Sequence, residues 1–149
     1  MDISILSLIF HTIPESIALV FLTLVLLKMK PNWNVILLLG VLQAVAAFLV
    51  RLLPFLEFGV HIVILILVLA GLVMCASKQK FVKVVPMALL SFIILLLFEY
   101  IIVSTFIFIT DINIDVLVED QLLWIAVTTP QWMLLFLTGF IIQYVRDRK

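Results

Sequence analysis

The 149-residue chain is poor in charge and has only one cysteine, and each scarcity excludes a class of protein. Asp, Glu, Lys and Arg make up 12% of the residues. Soluble domains contain about 25%, and disordered segments are usually richer still. The single cysteine, Cys75, excludes an intramolecular disulfide and a site built from several thiolates. Nine basic residues balance nine acidic ones, so the net charge of zero gives no reason to expect a nucleic-acid partner.

The chain is instead rich in apolar residues, which make up 66% of it. A soluble domain of about 150 residues buries only about 70% of its unfolded surface, too little to hide this many apolar side chains. Five apolar runs reach the length of about 20 residues that a helix needs to cross a bilayer. They cover approximately residues 3–27, 35–56, 58–77, 84–109 and 122–144. The sequence therefore predicts an all-α, polytopic integral membrane protein with a single five-helix transmembrane domain over residues 1–149.

The start of the first run leaves two alternatives open. Pro14 suits the first turn of a helix, where its missing N–H costs nothing. The spanning helix then begins near Ile13, with the residues up to Thr12 forming an interfacial segment. Because Ile13–Leu27 alone is short for a crossing, we favour the second alternative, a continuous kinked helix.

Basic residues in the predicted connections indicate an orientation. They follow the first, third and fifth runs: Lys28, Lys30, Lys78, Lys80, Lys83, Arg146, Arg148 and Lys149. Short loops rich in Lys and Arg stay in the cytoplasm, so we expect the N-terminus outside and the C-terminus inside, in a bacterial plasma membrane. The acidic Thr110–Gln121 loop is then external, and its apolar residues favour a short helix on the bilayer surface.

Five polar side chains fall at similar depth in the outer half of the predicted bundle: Glu15, Arg51, His61, Glu99 and Gln131. An ionisable side chain in hydrocarbon costs at least about 2.5–3.5 kcal/mol, so each requires a partner or a purpose. Two interpretations follow. In one, Arg51 pairs with Glu15 or Glu99 and the pair only fixes helix rotation. In the other, the five residues line an outward-facing cavity for a peptide, an ion or a small solute.

Enzyme motifs are missing from the sequence, which has no P-loop, no Gly-x-Ser-x-Gly and no His-Glu-x-x-His. His11 and Glu15 have the i, i+4 spacing of metal ligands on a helix, but two ligands do not make a site. We therefore predict a non-enzymatic protein with no cofactor and no metal.

Three short segments, Ile13-Pro14-Glu15-Ser16, Arg51-Leu52-Leu53-Pro54 and Thr129-Pro130-Gln131, carry a family resemblance. Together with five spans, an external N-terminus and a basic cytoplasmic tail, they resemble the membrane sensor modules of Firmicute quorum-sensing receptor kinases of the accessory-gene-regulator type. Those receptors continue into a cytoplasmic dimerisation helix and a kinase domain, whereas this sequence stops at Lys149.

The leading hypothesis is a non-enzymatic signalling or regulatory membrane module. An external or membrane-embedded ligand, such as a hydrophobic peptide, binds around the five polar residues, and helix movement passes to the cytoplasmic loops. A second hypothesis is a small homo-oligomeric transporter or channel that uses the carboxylates of Glu15 and Glu99. A third is the membrane subunit of a larger complex. The expected partners are the lipid bilayer and either a second copy of the chain or a separate protein at the cytoplasmic face.

Overall fold

The computed structural model describes residues 5–30, 32–54 and 58–149, and these residues form helices and short connections with no strand among them. The elements are α1 (Ile5–Ser7), a π-helical turn (Leu8–Thr12), α2 (Ile13–Leu26), α3 (Trp33–Arg51), α4 (Phe58–Ser77), α5 (Phe81–Thr110), α6 (Ile114–Glu119) and α7 (Gln121–Asp147). Five helices are long and apolar enough to cross a membrane: Leu8–Leu26, Trp33–Arg51, Gly59–Ser77, Phe81–Thr110 and Gln121–Asp147. The predicted helical fold with five membrane-length helices is therefore confirmed.

The first membrane-length helix is continuous through its proline. Thr12, at the junction between the π-helical turn and α2, has helical backbone angles (φ −68°, ψ −41°). Pro14 lies in the first turn of α2, where a missing backbone N–H is tolerated, and a single π-helical turn is a common irregularity within a helix. The chain is thus helical from Ile5 to Leu26 without an intervening loop, the second of the two alternatives. Residues 1–4 lie outside the part of the chain that the structure describes.

The second helix ends earlier than its apolar run predicts. The run extends to residue 56, but α3 stops at Arg51. Pro54 accounts for the difference, because a proline disfavours the helical conformation of the residue before it, here Leu53. Residues 55–57 lie outside the described part of the chain. Arg51 therefore stands at the end of a helix instead of inside one.

α2 is the central helix of the bundle and packs against α3, α5 and α7. Its residues 18–25 are all buried, because a helix that is apolar on every face can contact neighbours on every side. α3 approaches α2 closely at Gly40, where an added Cβ atom would lie 2.7 Å from the Cα atom of Ile17. Phe21 stacks on Trp33 with ring centroids 5.3 Å apart and covers Gly139 of α7.

The two ends of the bundle differ in charge and in height. The end at which α2 and α4 finish and α3 and α5 begin carries the eight basic residues given above and is called the basic end. The opposite end carries Asp111, Asp115, Glu119 and Asp120 and is called the acidic end.

α4 has 20 residues and α5 has 30, and a three-residue turn joins them at the basic end. α5 therefore extends beyond α4 at the acidic end by about 15 Å. We call residues 101–110 the α5 extension.

Candidate functional site: a charged cluster at the acidic end

His11 links two helices near the acidic end. Its Nε2 atom lies 3.0 Å from a carboxylate oxygen of Glu15, one helical turn away. Its Nδ1 atom lies 3.1 Å from the Thr128 hydroxyl of α7. The Thr128 hydroxyl also donates to the carbonyl of Trp124 in its own helix, at 2.7 Å, so the direction of its bond to the imidazole depends on which ring nitrogen carries the proton. The His11 side chain is 8% exposed and the Glu15 side chain 16% exposed, so this polar link is largely shielded from the surroundings.

Arg51 approaches the same place from the end of α3. Its Nη1 atom lies 3.5 Å from the Thr12 hydroxyl, and the residue is exposed. The guanidinium acts electrostatically on His11, Glu15 and Glu99. Neither of these two carboxylates, however, lies within 4.0 Å of it. The direct pair of the first interpretation, between Arg51 and Glu15 or Glu99, is therefore not formed; the guanidinium lies beside Thr12 instead.

Glu99 contributes the fourth ionisable group, from the half-buried side of α5. Its carboxyl group is close enough to Glu15, His11 and Arg51 to interact with them electrostatically, but no ion pair within 4.0 Å joins it to His11 or Arg51. We call these four residues the charged cluster. They come from three parts of the chain: the first membrane-length helix, α3 and α5. Among the residues that the structure describes, no three His, Cys, Asp or Glu side chains are arranged to hold a metal ion.

The structure brings together three of the five polar residues that the sequence singled out: Glu15, Arg51 and Glu99. Gln131 lies three residues after Thr128 on the buried face of α7, is 2% exposed, and its Oε1 atom has no hydrogen-bond partner among the described residues. His61 is half-buried in the first turn of α4, and the histidine of the charged cluster is His11. The sequence did contain a signal for His11, its i, i+4 spacing from Glu15, which we considered only for metal binding.

An apolar groove of about 480 Å³ lies between the α5 extension and the beginning of α7. Ile102, Phe106 and Ile109 form part of one wall, and Val127 and Pro130 part of the other. The lining also includes Thr105, whose hydroxyl donates to the carbonyl of Ile101 at 2.7 Å and so is already satisfied. We call this feature the α5–α7 groove.

The bundle becomes apolar between the charged cluster and the basic end. In the described part of the chain, the buried polar side chains of this region are Ser16, Thr23, Gln43 and Ser91. Thr23 donates to Ser91 at 2.9 Å, and the amide of Gln43 donates to the carbonyl of Leu65 at 3.1 Å. These hydrogen bonds join neighbouring helices, which is the usual role of isolated polar side chains inside membrane bundles.

Comparison of the chain with protein-family models, with curated proteins and with solved structures finds no match. The function has to be inferred from the geometry of the charged cluster and the groove beside it.

Proposed function

We propose that this chain is a non-enzymatic regulatory module of a membrane, which binds an external or membrane-embedded ligand at its acidic end. The observation that carries the proposal is the convergence of His11, Glu15, Arg51 and Glu99 beside an apolar groove. Ligand sites combine an apolar lining with a few polar groups that fix orientation. The charged cluster and the α5–α7 groove together have this composition.

The charged cluster is incompletely paired, which favours ligand binding over a purely structural clamp. A buried ion pair fixes helix orientation when its charges contact each other and are fully hydrogen-bonded. Here Arg51 has no carboxylate of Glu15 or Glu99 within 4.0 Å, and the two carboxylates repel each other. A bound polar group relieves this arrangement by supplying the missing partner.

The packing towards the basic end supports a site that opens on one side only. A transporter or channel within one chain requires polar groups along the whole crossing. The described residues between the cluster and the basic end are instead mostly apolar, and the Thr23–Ser91 hydrogen bond joins two packed helices. We therefore favour a binding module over a transport path through a single copy of the chain.

A ligand at the acidic end has a structural route to the basic end. The first membrane-length helix and α7 are joined near the acidic end by His11 and Thr128. At the basic end they are joined by Arg146, whose Nη1 donates to the carbonyl of Val25 at 3.3 Å. These contacts couple the movement of the two helices. A ligand shifts their arrangement if it binds one arrangement more tightly than another. This route accords with a sensor, and the resemblance to quorum-sensing sensor modules stays a prediction.

Access to the bundle from each side tests the proposal. Single cysteines are placed at Glu99, in the cluster, and at Ser91, about two turns closer to the basic end, in a Cys75→Ser background. The protein is reconstituted in liposomes and treated with a membrane-impermeant thiol reagent from either side. We expect Glu99→Cys to react from the acidic side only and Ser91→Cys to react from neither. Reaction of Ser91→Cys from the basic side, or proton flux that Glu15→Gln abolishes, contradicts the proposal and favours a transporter.

The proposed orientation has its own test in intact cells. Eight of the nine basic residues lie at the basic end, and short loops rich in Lys and Arg favour the cytoplasmic side. In the Cys75→Ser background we expect a cysteine at Asp115 to be labelled from outside and one at Arg148 to be protected. The reverse pattern overturns the orientation.

A further inference from the structure

The Thr128 hydroxyl has one hydrogen and two near partners, which limits how the link to His11 is hydrogen-bonded. The carbonyl of Trp124 lies 2.7 Å from the hydroxyl oxygen, and Nδ1 of His11 lies 3.1 Å from it. A carbonyl oxygen only accepts, so a bond to Trp124 uses the hydroxyl hydrogen. The 2.7 Å distance is typical of O–H···O, and 3.1 Å lies within the range of N–H···O. When both bonds are made, Nδ1 therefore carries a hydrogen and donates it to Thr128.

The other ring nitrogen then requires a second hydrogen. Nε2 of His11 lies 3.0 Å from a carboxyl oxygen of Glu15, and a hydrogen bond between these two atoms needs one hydrogen between them. With Nδ1 already protonated, that hydrogen makes either the ring an imidazolium or Glu15 a carboxylic acid. In both forms the His11–Glu15 pair holds one proton more than a neutral imidazole beside a carboxylate. All three hydrogen bonds are made together only with this extra proton.

The charges around the pair favour the extra proton. Arg51 of α3 and Glu99 of α5 both act electrostatically on His11. α4 contributes His61 in its first turn, and α7 has charged side chains only at its basic end. With a neutral ring, the carboxylates of Glu15 and Glu99 carry two negative charges against the single positive charge of Arg51. One more proton removes this excess, and unbalanced charge is unfavourable in a shielded site.

We propose that the His11–Glu15 pair is a proton-binding site, and that its extra proton strengthens the contact between the first membrane-length helix and α7. The inference rests on the proposed function and adds a response to pH at the acidic end. The contact is strongest at low pH, where the proton is bound, and weakens as the pH rises and the proton leaves to water.

Proton loss leaves too few hydrogens for the three bonds. The remaining ring hydrogen stays on Nε2, because a bare Nε2 would face the carboxylate of Glu15 with no hydrogen between them. Nδ1 is then bare. The single hydroxyl hydrogen of Thr128 serves either Nδ1 of His11 or the carbonyl of Trp124, so one of these two bonds is lost.

Nitrogen NMR of the full chain in lipid nanodiscs detects the hydrogen on Nδ1 directly. The chain has two histidines, so labelling histidine alone with the heavy nitrogen isotope gives signals from His11 and His61, and His61→Gln assigns them. We expect Nδ1 of His11 to be protonated at about pH 5 and bare at about pH 8, the limits within which histidine ordinarily titrates. Glu15→Gln should keep Nδ1 protonated at both pH values, since its amide donates to Nε2 without a titratable proton. Glu119→Gln removes an exposed carboxylate of α6 and should behave as the wild type.

The strength of the contact is measured by the change that Thr128→Val causes in the unfolding equilibrium constant in detergent. We expect this change to be about fivefold larger at about pH 5 than at about pH 8, the usual worth of one hydrogen bond. In a Glu15→Gln background the change should be the same at both pH values. Thr138→Val is the matched control, because its hydroxyl bonds to the carbonyl of Leu134 in the same helix, and its effect should not depend on pH.

Any of four outcomes overturns the inference: Nδ1 bare at both pH values, Nδ1 protonated at both in the wild type, loss of its hydrogen in Glu15→Gln as well, or an equal effect of Thr128→Val at the two pH values. The first shows that Thr128 donates to the ring and that the pair holds no extra proton. If one of these is found while Glu99→Cys still reacts from the acidic side only, the response to pH is wrong and the proposed binding module stands. Reaction of Ser91→Cys from the basic side contradicts the module itself, whatever the protonation of His11.

Discussion

The contact between Gly40 and Ile17 gives a direct test of how closely α2 and α3 approach each other. A Cβ atom added at Gly40 would lie 2.5 Å from the Cγ1 atom and 2.7 Å from the Cα atom of Ile17. Non-bonded carbon atoms prefer about 3.5–4.0 Å. The Cγ1 atom is able to move by a rotamer change, but the Cα atom belongs to the backbone, so Gly40→Ala requires the two helices to separate by about 1 Å.

We expect Gly40→Ala to destabilise the protein by about 1–2 kcal/mol. Overpacking a well-packed site costs about 1–3 kcal/mol, and replacing glycine by alanine inside a helix returns up to about 1 kcal/mol. Gly71→Ala is the matched control, because Gly71 is exposed on α4 and an added Cβ atom there has no neighbour within 4 Å. This control should be neutral or stabilising by up to about 1 kcal/mol.

The measurement is the free energy of unfolding in one detergent for the wild type, both single variants and Gly40→Ala combined with Ile17→Ala. The double variant removes the Cγ1 contact but keeps the Cα atom, so it should recover only part of the lost stability. If Gly40→Ala and Gly71→Ala are equally stable, α2 and α3 do not approach closely at Gly40 and the reasoning fails.

Two further predictions concern the charged cluster. Thr128→Val should lower the free energy of unfolding by about 1–2 kcal/mol, since it leaves Nδ1 of His11 without its partner. The control is Thr138→Val, which removes a hydroxyl bonded to Leu134 of its own helix and should lower the free energy of unfolding by less. Equal losses of stability in the two variants contradict the interhelical bond. Arg51 does not contact Glu99 directly. The coupling energy, measured from the unfolding free energies of Arg51→Leu, Glu99→Gln and the double variant, should therefore stay below about 1 kcal/mol. A value of about 3 kcal/mol or more indicates a direct buried pair.

The positions of the membrane-length helices were predictable because they depend on local properties of the chain. A long apolar run forms a helix in lipid, since no water is present to satisfy its backbone groups. Single residues also set some ends: Pro54 was a visible reason for α3 to stop before residue 56. The α5 run was predicted to span residues 84–109, and the helix extends over Phe81–Thr110. The sequence therefore predicted that α5 is longer than α4, although the helices differ by ten residues and the predicted runs by six.

The faces that these helices turn towards one another were not predictable. Gly40 and Gly71 both lie in runs that are apolar on every side, yet Gly40 touches Ile17 and Gly71 is exposed. In a soluble helix the polar face identifies the surface. In these helices the residues that contact a neighbour and those that face outward have the same composition, so periodicity carries no information about rotation.

The rotation of each helix about its own axis decided which residues meet at the candidate site. The sequence placed Glu15, Arg51 and Glu99 at similar depth, because depth follows from residue number at about 1.5 Å per residue. It did not determine that His11 bonds to Thr128 or that the Arg51 guanidinium lies beside Thr12. Those contacts join residues far apart in the chain. They exist because α2, α3 and α7 pack at particular angles about their axes, and only the tertiary structure fixes those angles.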